Sequence, residues 1–173
     1  DIVEFAVGLS DLESPTYMIS KDTFQMGEIT ETFMSAGLLF LQEQSLISLD
    51  DPLSAHLDES IYASLGEVGG LTLRQLAVHD SDLVGYYDAA LPEDPSPQER
   101  INFFRTGNDG APAEGVIDVR LDYVLLGKVI ESVTQLGSWR SLGTWLTANV
   151  GLETMGKTVF PTSDQYTVVK GYS

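Results

Sequence analysis

Apolar residues fall along this chain in runs whose spacing changes from one stretch to the next, and the changes divide it into elements. Ile2 to Leu9 and Thr16 to Ile19 are rich in β-branched and aromatic residues, and the polar turn Ser10 to Pro15 separates them, which predicts a strand pair. After Gly27, Ile29 to Gln44 take a helical pattern in which Ala36-Gly37-Leu38-Leu39-Phe40-Leu41 is apolar all round, as in a helix enclosed by a core. Thr72 is placed to cap a short helix, Leu73 to Val78. Ser96-Pro97-Gln98-Glu99 combines a cap, a proline at the first helical position and the acid of a capping box, predicting a helix to about Arg105. A longer helix follows around Tyr123, with Gly137 expected as its left-handed cap. Ser138 then opens a last helix to about Ala148, with Trp139, Leu142, Trp145 and Leu146 on one face. The stretches from Leu53 to Gly70, Tyr86 to Pro95 and Thr106 to Gly115 read as loops.

Composition narrows what such a chain can do. With 173 residues, 43% of them hydrophobic, it can bury a sizeable core and suits one domain. The net charge of −17, from 26 acidic against 9 basic residues, argues against nucleic acid or an anionic membrane surface as partner. Solubility explains that charge more simply than a basic docking partner does. There is no cysteine, hence no disulfide framework and no thiolate metal site, and the compartment is left open. No apolar run reaches membrane-spanning length. The chain opens at Asp1 without a signal-peptide pattern, as expected of a processed product or a trimmed chain.

Three phrases carry a resemblance. In FQMGEITETFMSAGLLFLQEQSLISLDDPL, Leu41, Leu46, Leu49, Asp50, Asp51 and Pro52 are in register with F-x-x-G-S-x-x-K-x-F followed by L-x-x-x-G-x-L-x-L-D-D-P. LTLRQLAVHDSDL is close to ITLRQLLTHTSGL, keeping His79 and Ser81 and placing Asp82 where a loop glycine is usual. In VIDVRLDYVLLGKVIESVTQLG, Tyr123, Leu125, Leu126, Gly127, Ile130 and Glu131 follow Y-S-N-x-x-Y-x-L-L-G and the helix after it. Met155, Thr158 and Phe160 resemble the end of P-L-G-M-x-x-T-x-F. Together these phrases resemble the superfamily of serine beta-lactamases, penicillin-binding proteins and family VIII esterases. The resemblance spans nearly the whole chain but only about the first half of the family domain. It implies an incomplete α+β fold, one partial domain over residues 1–173, with opening antiparallel strands up to residue 23 and a mostly helical region from Phe24 onward.

The same register shows where the chain departs from the family's chemistry. Glu28 stands at the position of the nucleophilic serine and Glu31 at that of its lysine partner, while the tyrosine and asparagine of the second motif fall at Asp118 and Arg120. Acyl transfer needs a hydroxyl with a base in hydrogen-bond reach, and Glu28 offers none. Thr30 and Thr32 are hydroxyls nearby but point to other sides of the helix. His79, Ser81 and Tyr123 are expected to line the pocket. The resemblance gives His79 and Ser81 a turn-shaping role, and the rival reading of Ser81 as a nucleophile with His79 as base comes without an oxyanion hole.

One further string, Gly151-Leu152-Glu153-Thr154-Met155-Gly156-Lys157-Thr158, satisfies the Walker A pattern. We read it as accidental, because a helix pattern precedes it, Pro161 follows, and Glu153 would stand beside phosphate. No cofactor and no metal are expected, and no spacing matches a calcium loop. The expected function is a beta-lactamase-like protein without the serine machinery, acting as a binding scaffold for a small molecule or a partner. A repurposed small-molecule enzyme is the alternative, a cyclase, isomerase or non-serine hydrolase with Glu28, Glu31 and Asp118 as acid/base groups and Arg120 as an anion clamp. A conventional hydrolase hidden by a shifted alignment is the third. The family's K-T-G or H-x-G motif has no equivalent here, and a narrow sheet with a bare edge is poorly stable alone. A second chain, or a C-terminal half not included here, is therefore expected to complete the sheet.

Overall fold

A computed structural model describes residues 3–22, 24, 27–87, 96–106 and 119–150; at 86, 87, 106, 119, 120, 139 and 140 the description is of the backbone. These residues divide into two units, one running to Thr30 and the other from Glu31.

The first unit carries the predicted strand pair in shortened form. Strands β1 (Leu9–Asp11) and β2 (Thr16–Tyr17) pair antiparallel, with a register irregularity between Leu9 and Asp11. The turn between them is held by the Asp11 carboxylate, which accepts from the backbone N–H groups of Glu13 and Ser14. Before β1 the chain runs without a ladder, and Val3, Phe5 and Val7 are each more than 80% exposed.

The second unit is mostly helical. Helix α1 (Ile29–Glu43) begins and ends close to its predicted bounds. Helices α2 (Glu59–Tyr62), α3 (Leu73–Ala77), α4 (Pro97–Phe103), α5 (Asp122–Thr134) and α6 (Trp139–Asn149) follow, with 3-10 turns at Leu53–Ala55, Ala63–Leu65 and Val68–Gly70. Both predicted capping boxes form: Thr72 with Gln75 at α3, and Ser96 with Glu99 at α4 behind Pro97. Ser138 caps α6 by accepting from Ser141 N–H. At the other end of α5 the expectation needs correcting. The helix ends at Thr134 with Gln135 as its left-handed cap at φ 55°, and Gly137, two residues further on, is left-handed as well at φ 68° but does not close the helix.

Helix α5 is central to the core. Leu125, Leu126, Val129 and Ile130 are fully buried, and the helix packs against α3, α4 and α6. Leu73 and Leu76 of α3, Ile101 of α4 and Leu146 of α6 complete that interior. Helix α1 approaches through Gly37, where an added Cβ would lie 2.6 Å from Leu146 Cδ2 and 3.1 Å from the Trp145 ring. Phe40 meets Trp145 edge to face, with ring centroids 5.9 Å apart. The apolar run on α1 is nevertheless not enclosed all round. Leu38 and Leu41 are buried, but Leu39 is 55% exposed.

A three-stranded antiparallel sheet, unforeseen in the sequence, completes this unit. Strand β3 (Val84–Tyr87) lies between β4 (Phe104–Thr106) and β5 (Val119–Arg120). Tyr86 and Tyr87, expected in a loop, belong to β3, and the helix expected to reach Arg105 gives way to β4 at Phe104. Gly85 is required here, since a Cβ would run into the Arg105 carbonyl. The L-x-L-D-D-P segment is a structural turn: Asp51 accepts from Ser48 N–H and from His56 Nε2, and Asp50 pairs with Arg74. The stretches 88–95 and 107–118, and the Walker-like string, lie outside the described residues.

Burial along α1 sets a simple test. Leu38→Asp should abolish cooperative melting, because an unpaired carboxylate buried there costs several kcal/mol, about 3 or more. Leu39→Asp should change stability by no more than about 0.5 kcal/mol. Thermal unfolding of both variants checks this, and equal damage from the two would show that the face bearing Leu39 is covered.

Candidate functional site

The site is built where α3 ends. His79 N–H donates to the Leu76 carbonyl and Asp80 N–H to the Gln75 carbonyl, while His79 itself stands at φ 58°. That is a Schellman closure, in which the left-handed residue is most often glycine. Histidine tolerates this conformation better than most residues, and here it turns the ring back towards α1 and α5.

Two carboxylates receive the ring. His79 Nδ1 lies 2.9 Å from Asp122 Oδ2, at the first residue of α5, and Nε2 lies 3.1 Å from Glu31 Oε2 on α1. Asp122 has no exposure at all, whereas the Glu31 side chain keeps 30% and that of His79 28%. Ser81 Oγ makes a short bond to the other Asp122 oxygen and accepts from Leu83 N–H. A carboxylate on each side favours a proton on both ring nitrogens, the imidazolium form of His79. The Asp122 carboxylate raises its pKa above the ordinary value, partial burial opposes the rise, and Glu31 adds to it. The start of α5 also favours a negative group at Asp122 through the exposed N–H ends of its first turn.

Tyr123 stands next to this cluster with its ring centroid 5.3 Å from that of His79. Its hydroxyl donates to the Ala77 carbonyl at 2.9 Å, so the 2.6 Å bond to Ser35 uses the serine hydrogen. Both hydroxyls are thus engaged in joining α1, α3 and α5.

Of the four residues that the resemblance puts at the family's reactive positions, Glu31 has side-chain partners in this cluster. Glu28 is exposed in the turn leading into α1. Asp118 lies outside the described residues, and Arg120 is described by its backbone, which pairs with Val84 in the sheet. The three expected pocket residues, His79, Ser81 and Tyr123, do come together with Glu31. The proposed Ser81–His79 nucleophile pair does not form, because the Ser81 proton goes to Asp122. Asp122 and Ser35 were missed. An acid at the first position of a helix reads as a complement to the helix dipole, and nothing local marks it as buried. Among the described residues no group of three or more His, Asp or Glu side chains is arranged to hold a metal ion, and no helix is long and apolar enough to cross a membrane.

A native His79 pKa above the unfolded value means that protonation stabilises the fold. The contribution is complete below the unfolded value of about 6.5 and is lost as pH rises through the raised native value. Melting temperature should therefore fall as pH rises from about 6.5 through the raised native value, and His79→Gln should remove that part of the slope. An unchanged slope in the variant would place the pH dependence elsewhere.

Comparison with known proteins bears on this geometry. The family model described as Beta-lactamase matches residues 1–165. Among solved structures, FmtA from Staphylococcus aureus is 20% identical with a TM-score of 0.57, over 83% of this chain and 38% of its own. The octameric penicillin-binding protein homologue from Pyrococcus abyssi is 24% identical with a TM-score of 0.58, over 90% of this chain and 36% of its own. The chain thus spans little more than a third of either structure, and the likeness is one of fold. Comparison with curated protein sequences finds no match.

Proposed function

Because the chain belongs to the beta-lactamase family, we propose that it is a member without serine acyl transfer, acting as a binding scaffold for a small-molecule ligand or a partner protein. The observation that carries this reading is the engagement of Glu31. At the position where the resemblance puts the family's lysine, this chain has a carboxylate whose Oε2 is held by His79 at 3.1 Å. A carboxylate paired with an imidazolium is a poor substitute for an amine base, and Glu28, at the serine position, has no hydroxyl to activate. The nearby hydroxyls of Ser35, Ser81 and Tyr123 are each committed to a structural bond.

A second reading is supported by the same cluster. The series Asp122, His79, Glu31 is a continuous line of hydrogen bonds from a buried acid to a partly exposed one, suited to moving a proton. In an enzyme that had taken over this pocket, Glu31 would be the acid/base group, with Glu28, Asp118 and Arg120 as its companions. Cyclisation, isomerisation and hydrolysis without a serine are the reaction types open to it.

The reading extends to a complement for the sheet. The short β1–β2 ladder, and Val3, Phe5 and Val7, each an exposed apolar side chain before it, are what a second chain, or further strands of the same domain, would cover.

Mass spectrometry after incubation with a penicillin, a fluorophosphonate and an activated ester tests the first reading. No covalent adduct is expected, and one on any Ser or Thr would overturn it. For the complement, sedimentation of the isolated chain should show self-association, or a melt that sharpens when the missing strands are supplied. A compact monomer with a sharp melt removes that part of the proposal.

A further inference from the structure

We propose that His79 is a proton-operated latch on Glu31: protonated, it holds the Glu31 carboxylate, and on losing its proton it releases that carboxylate while remaining bound to Asp122. The latch goes beyond the binding reading and stands on the hydrogen-bond geometry, whether or not a ligand is bound.

The argument turns on which nitrogen gives up its proton. A neutral imidazole has one N–H and two carboxylates to satisfy. Asp122 is wholly buried, so a donor withdrawn from its Oδ2 could not be replaced by water, and the loss would be that of a buried, unsatisfied charge. Glu31 is partly exposed, and water can take over the bond from Nε2. The proton on Nδ1 is therefore kept and the one on Nε2 goes. What remains at 3.1 Å is a nitrogen lone pair facing a carboxylate oxygen, which repel, and Glu31 turns away.

The other groups around the ring fit this order of events. From α5, Asp122 and Tyr123 face His79, and the Tyr123 hydroxyl is occupied by Ala77 and Ser35, so it cannot move in to replace Glu31. From α1 the facing group is Glu31. On the turn itself, Asp80 and Asp82 are exposed, and Ser81 supports Asp122 from the far side. The raised pKa of His79 puts the change at a higher pH than in an isolated histidine. Below the transition the Glu31 carboxylate is neutralised by its imidazolium neighbour. Above it, the same carboxylate is a free anion that can accept a proton or a cationic group.

The test is a titration of the whole chain with nitrogen-15 in the histidine rings, followed by two-bond proton–nitrogen correlation. The chain has two histidines, and the His79→Gln spectrum identifies which signals are lost. Above the His79 midpoint, Nδ1 should keep its proton and Nε2 should move to the unprotonated position. The opposite tautomer overturns the proposal, and His56→Gln, which leaves His79 as the remaining histidine, gives the same assignment should His79→Gln fail to fold. In a double-mutant cycle on unfolding equilibria, His79→Gln and Glu31→Gln should be coupled at least about threefold below the midpoint and uncoupled above it. Glu31→Gln should also lower the His79 midpoint by about one pH unit, a tenfold loss in proton affinity. Coupling that persists unchanged above the midpoint, or a midpoint unmoved by Glu31→Gln, would show that Glu31 is not what the imidazolium holds.

Discussion

A carboxylate shut off from water must find its hydrogen bonds inside the protein, and Asp122 finds them in Ser81 and His79. Much of the candidate site follows from that constraint. Ser81 and His79 can both reach Asp122 because α3 ends in a left-handed residue, which folds the turn over the start of α5. Once the ring is fixed at Nδ1, its other nitrogen points at α1, where Glu31 meets it. A buried acid at the head of one helix thereby determines what the neighbouring helix can offer to anything that binds beside it.

Helix endings show the same economy without glycine. Ser45 after α1, His79 after α3 and Gln135 after α5 all adopt positive φ, at 59°, 58° and 55°, and each helix closes with its next amides returned to carbonyls of the last turn. At Ser45 and Gln135 this is a local expense of conformation, since side chains other than glycine are disfavoured there. His79 differs because its strained backbone aims a ring that makes two ionic hydrogen bonds. Glycine at that position would relax the turn and lose the cluster.

How much of this was legible in the sequence depended on how local the cause was. The caps at Thr72, Ser96 and Ser138, and the extent of α1, follow from neighbours within a turn of helix, and they appear as read. The sheet of β3, β4 and β5 was not legible, since its strands are very short and pair with partners far along the chain, where no alternation of polar and apolar residues can accumulate. Gly137 is left-handed, as its residue type suggests, but the helix closes two residues earlier, at Gln135, a residue type with no such signal. Leu39 looked buried because pattern alone cannot tell which side of an apolar helix the rest of the molecule covers. Within the site, resemblance singled out Glu31, His79, Ser81 and Tyr123, but the residue that organises them, Asp122, sits 43 positions beyond His79 and carries no mark of its burial.

That separation has a consequence for the life of the folded chain. Capping boxes and helix closures join residues a few positions apart and can form while each segment is still alone. The bonds of His79 span 43 residues to Asp122 and 48 to Glu31, and they close only after α1, α3 and α5 have been brought together. Interactions completed that late contribute little to the barrier for assembly and much to the barrier for escape. By this reasoning the imidazolium cluster bears on persistence, and a rise in pH is expected to speed opening more than it slows formation.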